Sequence, residues 1–366
     1  MDLFAGLGGF SQGAILAGAD VVEVYDCDPV PLKLLGANIP GVKVHLATLG
    51  PKAEAVELPP AAPDLHVHAS TPCTELSPAK YNATENDIEA GVGMLGWALD
   101  LILERGDHSW SLENVSTPVT RKLLADYKSR CPVKVDFASL DAADFGAPQT
   151  RTRLIAGPPQ LIKLLQQMPS ARRVSVREAF AAHGAEPASE AFKNQTRNRD
   201  GTPCVRTIEE LSFTVCASHP LTWASRDGKT VRVMNTKESA ILMGFTHSWR
   251  LPCVSVHERS TFLCYTRLPT RLWSVVFPLR TGSRTGQRAV GNALCVAMSE
   301  AIVQCAISIH TGVPVPIPAP TQPQEPTILQ DELVSEVPPA RSSRKLQRRL
   351  KSIEVLLRGL YDQAHA

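Results

Sequence analysis

Asp2-Leu-Phe-Ala-Gly-Leu-Gly-Gly-Phe-Ser-Gln-Gly13 is the stretch that decides the fold. Residues 2–5 read as the carboxyl end of a buried strand. Gly6, Gly8 and Gly9 read as a turn, and residues 10–16 as the start of a helix. With strand, glycine turn and helix an open α/β sheet builds a crevice for a nucleotide-like ligand at the carboxyl ends of its strands. Glycine suits the turn because a side chain would hold the ligand off the backbone and because positive φ is available to it. The dinucleotide fingerprint G-x-G-x-x-G needs a glycine where Ser11 stands, so that fingerprint is not met. Taken alone, the stretch is equally a tight strand-to-helix connection. Only Met1 precedes Asp2, whereas a strand usually has about five or six residues, which points to a truncated or misassigned start.

Composition sets the outer limits. The 366 residues suffice for one large domain or two smaller ones, and 43% hydrophobic with 20% charged residues is a soluble globular balance. A formal net charge of +2 demands no nucleic-acid partner, so any such contact must come from local basic patches. Nine cysteines occur without C-x-x-C pairs or histidines at ligand spacing, which argues against a zinc site. The expected metal complement is none. No apolar run long enough to cross a bilayer stands out, so a reducing intracellular compartment is expected, cytoplasmic or nuclear according to the host.

Downstream, residues 18–28 read as a second strand closing on Asp26 and Asp28, where an acid is placed to accept hydrogen bonds from ribose hydroxyls. Residues 29–38 read as helix, 42–46 as strand and 51–63 as a connecting loop. Residues 64–68 form the next strand, and its His66 and His68 are expected to be histidines with satisfied hydrogen bonds. That strand delivers Ser70-Thr-Pro-Cys-Thr-Glu-Leu-Ser77. A cysteine at this edge is a candidate nucleophile, although an isolated cysteine is more often a small apolar residue. A helix over 86–104 and a strand over 109–112 lead to Glu113-Asn114-Val115; helix 123–128 and strand 133–140 follow. Gln149, Arg151 and Arg153 then alternate, so an extended segment points them to one side. Paired guanidiniums there suit a carbonyl oxygen or a phosphate.

Beyond residue 158 the periodicity weakens. A helix is expected over 171–180, a basic stretch over 192–206, and strands within 207–223 that bring Thr214 and Trp223 near a nucleic-acid-facing surface. Thr236 is expected to cap a helix over 237–243. Gly291 and Asn292 are expected to form a turn opening a helix to residue 309. Residues 312–339 are a Pro-rich linker and 342–361 a basic amphipathic helix, a candidate docking element for a partner.

Taken in order, these stretches resemble the cytosine-5 DNA methyltransferases. Asp2-Leu-Phe-Ala-Gly matches their opening signature. Pro72, Cys73 and Ser77 match their Pro-Cys loop, Glu113-Asn114-Val115 their Glu-Asn-Val, and Gln149, Arg151 and Arg153 their Gln-x-Arg-x-Arg. Arg232, Thr236, Glu238 and Gly244-Phe245 match a later segment, and Gly291-Asn292 the closing Gly-Asn. Departures are Thr74 and Leu76 in the cysteine loop, Asp26 for a glutamate, no acid after the third strand, and Leu294 for valine.

The resemblance implies a Rossmann-like class I methyltransferase with a mostly parallel sheet, a small target-recognition region and a C-terminal helical tail. The implied divisions are 1–157 catalytic, 158–230 recognition, 231–310 closing motifs with an insertion over 252–284, 311–340 linker and 341–366 helix. It implies S-adenosylmethionine held by Phe4, Ala5, Gly6, Gly8, Gly9, Asp26, Cys27, Pro72, Asn292 and Ala293. Catalysis is implied for Cys73, Glu113, Arg151 and Arg153, and substrate binding for Ser77, Asn114 and Gln149. The implied partner is double-stranded DNA, met as a monomer with the target cytosine flipped out. Three readings stay open: an active DNA enzyme, a relative acting on transfer RNA, and a catalytically weak relative that binds DNA or a partner protein.

Overall fold

The computed structural model describes residues 1–315 apart from 55, 78, 79, 81, 169 and 252–282. The insertion, the linker beyond 315 and the basic C-terminal helix therefore lie outside the described residues.

Seven strands form one sheet: β1 (Asp2–Leu3), β2 (Glu23–Asp26), β3 (Lys43–Leu46), β4 (His66–Ser70), β5 (Ser109–Val115), β6 (Asp136–Asp141) and β7 (Thr152–Gly157). Their order is β3-β2-β1-β4-β5-β7-β6, and β7 alone runs against its neighbours. This is the mostly parallel α/β sheet that the opening stretch predicts. The chain leaves β1 toward β2 and β3, then restarts on the other side with β4, so the strand order reverses between β1 and β4. An open α/β sheet takes its ligand at such a reversal.

Helices cover both faces, because a parallel sheet buries both. One face carries α1 (Gly9–Leu16), α2 (Pro29–Asn38), α5 (Pro159–Gln167) and a helix near the C-terminus of the described chain, with a core that includes Phe10, Leu35, Ile155 and Ile302. The other carries α3 (Glu85–Arg105) and α4 (Pro118–Arg130) over Leu99, Trp110, Leu112 and Leu124. Capping fixes these helices locally. The Thr84 and Thr117 side chains each close a capping box, and Asp28 accepts from the Val30 N–H at the start of α2.

After the short α6 (Val176–Ala182) a second sheet forms from β8 (Ala191–Arg197), β9 (Pro203–Thr207), β10 (Thr222–Ala224) and β11 (Thr230–Val233), antiparallel in the order β11-β10-β8-β9. Helix α5 packs on the large sheet rather than with the recognition region, and β11 crosses the expected edge at 230. Trp223, expected near a nucleic-acid surface, is fully buried: it packs edge-on against Phe180 and Phe192 and donates its indole N–H to Glu238. Thr214 donates to the Thr150 carbonyl.

The closing segment begins with α7 (Thr236–Met243), whose cap is Asn235 and not Thr236. The Asn235 side chain accepts from the Glu238 N–H, and Glu238 returns the bond. Then come α8 (Ser283–Asn292) and α9 (Val296–Thr311). Gly291 and Asn292 thus end a helix instead of opening one, and the break falls at 293–295. The apolar stretch Gly286–Thr311 reaches a mean hydropathy of 1.6, enough by length and composition to cross a membrane. It is instead packed against α1 and α5, with Met298, Ile302 and Cys305 enclosed.

Candidate active site

Four strand ends converge at the reversal. From β1 comes the glycine turn, from β2 Asp26, from β4 the cysteine loop and from β5 Glu113.

The turn is tightly specified. Phe4 has φ 60°, and it is the non-glycine residue with positive φ among the described residues. Such strain costs about 1–3 kcal/mol and is retained where the surroundings enforce it. Here the Ala5 N–H is held by the Tyr25 carbonyl, and the Phe4 ring stands edge-on to Trp97 at 6.4 Å. Gly8 (φ 85°) caps α1, and a Cβ on it would collide with Leu35. A Cβ on Gly9 would strike the Leu294 carbonyl oxygen, so Ala293 and Leu294 close on the turn from the far end of the chain. Trp249 seals the same turn by donating its indole N–H to the Leu7 carbonyl at 3.1 Å. Sequence reasoning missed this tryptophan, whose only signal is its place just after Gly244-Phe245.

Asp26 accepts from the Gly6 N–H and from the Asp28 N–H, both at 2.7 Å. Burial raises its pKa above the usual carboxylate range. A half-buried carboxylate facing a strained backbone turn suits the hydroxyls of a ribose, and these residues fit S-adenosylmethionine on that ground. Cys27, Pro72 and Asn292 are exposed, while Ala293 is buried against Gly9.

Across the reversal, Thr71 is pinned by Asn114, whose side-chain N–H donates to its hydroxyl at 2.8 Å and its carbonyl at 3.3 Å. Asn114 is itself fully buried and braces the cysteine loop. Leu76, where the resembling family has phenylalanine, is buried against Gly91 of α3. Cys73 and Ser77 are half-buried on this loop. Burial and the Glu113 carboxylate push the Cys73 thiol above its ordinary pKa, against the opposing pull of Arg153 and Arg151. Those four side chains share one electrostatic neighbourhood.

Within it, the Arg153 Nε lies 2.9 Å from the Glu113 Oε1. The pairing follows from register: β5 and β7 are antiparallel with Val115 opposite Arg153, so Glu113 is the diagonal same-face neighbour. Gln149, Arg151 and Arg153 do share one side, but they do different things. Arg151 is 2% exposed and donates to the carbonyls of Val215, Gly291 and Ala293. It ties the closing segment to the sheet. Gln149 is fully enclosed, bonded to the Leu242 carbonyl, the Met243 sulfur and the Val215 N–H. Of the three, Arg153 is the one that pairs with Glu113.

His66 and His68 behave as the sequence suggests, each ring nitrogen finding a serine hydroxyl at 2.8 Å.

Residues 1–157 match the family described as C-5 cytosine-specific DNA methylase. Among solved structures, one described as a DNA modification methyltransferase encoded within an E. coli prophage aligns with 85% of this chain and 99% of its own, at 16% identity and a TM-score of 0.53. At that identity the likeness is one of fold. A Spodoptera frugiperda DNMT2 variant (84% and 98% covered, 14% identity, TM-score 0.47) and the Entamoeba histolytica methyltransferase EhMeth (84% and 97%, 11%, 0.49) also align. No curated protein matches. Residues 1–157 are thus similar to a C-5 cytosine-specific DNA methylase domain, of a family that depends on S-adenosylmethionine.

Proposed function

We propose, from that domain and the pocket it carries, that the protein is a DNA (cytosine-5)-methyltransferase acting on a cytosine flipped out of duplex DNA. The observation that carries the reading is the Glu113–Arg153 pair beside Cys73, across the sheet reversal from the glycine turn.

Carbon 5 of cytosine is a poor nucleophile because the aromatic ring holds its electrons. Cys73 first gives up its proton to solvent; its Sγ, as thiolate, then adds to carbon 6, forming an S–C bond and pushing an electron pair toward carbon 5, which becomes enamine-like. S-adenosylmethionine supplies the methyl group that carbon 5 accepts. Loss of the carbon 5 proton then restores the ring double bond as the S–C bond breaks. Glu113 hydrogen-bonds ring nitrogen 3 and the exocyclic amine, where charge changes as the adduct forms. Arg153 fixes the Glu113 carboxylate and offers its remaining donors to the base carbonyl. Arg151 is a positioning residue that holds the strand from behind. Extruding the base costs a few kcal/mol, offset in part by phosphate contacts from basic side chains.

The test is covalent trapping on 5-fluorocytosine, whose fluorine cannot leave as a proton does. Duplex DNA and transfer RNA carrying the analogue are each incubated with S-adenosylmethionine and wild-type or Cys73→Ser protein. A denaturation-resistant adduct on DNA, absent with Cys73→Ser, is expected. An adduct on transfer RNA alone replaces the substrate. None on either, with cofactor binding shown separately, leaves a non-catalytic relative.

A further inference from the structure

The sheet buries a continuous row of polar side chains that the proposed chemistry does not use. On the α1 face of β4 and β5, the Ser109 hydroxyl meets His66 Nδ1, His66 Nε2 meets the Ser111 hydroxyl, Ser111 meets His68 Nδ1, and His68 Nε2 meets the Ser70 hydroxyl. All four distances are 2.8 Å. The Phe10 ring stacks on His68 with centroids 3.7 Å apart and shields the row from solvent. The middle members, Ser111 and His68, are fully buried, while Ser109 and His66 at one end and Ser70 at the other are half-buried. Ser70 lies opposite Glu113 in the β4–β5 register and three residues before Cys73.

The hydrogen count gives this row a direction. A neutral imidazole has one N–H and one bare nitrogen, and a serine hydroxyl has one hydrogen. Burial holds His66 down to about 3 and His68 well below its ordinary value, so both rings are neutral. If Ser111 donates to His66, then His68 must donate to Ser111 and Ser70 to His68. If Ser111 donates to His68, every bond reverses. With its hydrogens used internally the row has two states, pointing wholly toward Ser70 or wholly toward Ser109. They interconvert when one proton enters at one end and another leaves at the other. Neither ring keeps an extra proton, so the charge passes through rather than lodging.

Methylation at carbon 5 replaces one hydrogen by a methyl group, so one proton must leave the pocket in each turnover, while an extruded base fills the pocket mouth. Resting on the methyltransferase reading above, we infer that Ser70, His68, Ser111, His66 and Ser109 form a proton relay that drains the carbon 5 proton from the pocket to the amino edge of the sheet. The proton reaches the Ser70 oxygen, directly or through one water, as the Ser70 hydrogen passes to His68 Nε2. His68 Nδ1–H passes to Ser111, Ser111 to His66 Nε2, and His66 Nδ1–H to Ser109, which releases a proton to solvent. The electron pair left at carbon 5 closes the ring double bond and expels the Cys73 sulfur.

The relay acts after methyl transfer, and that separates it from a packing role. In single turnovers on duplex DNA with tritium at carbon 5 of the target cytosine, methyl incorporation and tritium release are followed together. Ser111→Ala interrupts the middle of the row and Ser70→Ala its pocket end, the latter at a half-buried position that tolerates truncation. Each is expected to transfer methyl at the wild-type rate, release tritium about 100-fold more slowly, and accumulate the methylated covalent adduct. Tritium release at the wild-type rate in a folded variant overturns the relay, and so does equal slowing of both steps. Absence of any adduct with wild type on 5-fluorocytosine instead removes the methyltransferase reading, a separate readout.

Discussion

The two sheets spend their polar residues in opposite ways. In the seven-stranded sheet β4, β5 and β7 are enclosed along nearly their whole length, and their polar side chains are answered from inside by neighbouring strands. In the four-stranded sheet β11 is exposed throughout and β8 becomes exposed toward its end, so basic side chains stand on the outside. A pocket that makes and breaks bonds needs desolvated groups in fixed positions, because electrostatic effects are large only where water is excluded. A surface that meets a phosphate backbone needs solvated cations with reach. The join between the sheets is the extended run holding Gln149 and Arg151, both of which grip Val215.

Breaking that join is expected to have the largest effect on stability. Arg151→Ala leaves three buried carbonyls without a donor and is expected to cost about 3–5 kcal/mol, the scale for removing one partner from a buried charged network. Arg153→Ala, two residues along the same face, is expected to retain the fold and lose most of kcat/KM, because it removes the partner of Glu113. Denaturant titration of both variants beside their trapping rates checks the contrast. Equal stability losses would mean that the two arginines do not divide the work as their contacts indicate.

Where packing carries the information, the sequence is legible. The glycine turn, Asp26, the cysteine loop and Glu113 all fall at strand ends, which a parallel sheet delivers to one crevice, although the roles of Cys73 and Glu113 were read from the family resemblance. The roles of Gln149, Asn114 and Arg151 were not legible, because each depends on which backbone carbonyl or N–H lies 43 or more residues away. Trp223 misled for the same reason: an aromatic in a weakly periodic stretch does not announce whether it faces a helix or solvent. The histidines were read correctly as satisfied, and their neutrality has a consequence in acid. Their folded pKa lies far below the unfolded value of about 6.5, so beneath pH 6.5 the unfolded chain binds protons that the folded one refuses. Stability present above pH 6.5 is therefore lost as pH falls toward 3, by about 2.7 kcal/mol per pH unit for the two rings together. Comparing wild type with the His66→Gln, His68→Gln double variant isolates this slope, since lost stacking on Phe10 adds only a pH-independent offset. Parallel stability curves between pH 6.5 and 5 would rule out neutral, protected rings.

The smallest effect is expected on the outer sheet, and it bears on what that sheet is for. Arg199, in the loop between β8 and β9, and Arg226, between β10 and β11, are exposed. If they meet phosphates, Arg199→Ala and Arg226→Ala each weaken binding to duplexes of every sequence alike, with kcat unchanged, and each lowers the slope of log affinity against log salt by about 1. A sequence-dependent loss from either would instead place that arginine on a base edge in the major groove, where a bidentate contact to guanine is worth about 1–3 kcal/mol. No change from either would move the phosphate contacts off this sheet. The enclosed sheet would then hold the chemistry without the outer one steering it, and the division drawn between them would fail at the recognition side alone, because none of these changes reaches Cys73, Glu113 or Arg153.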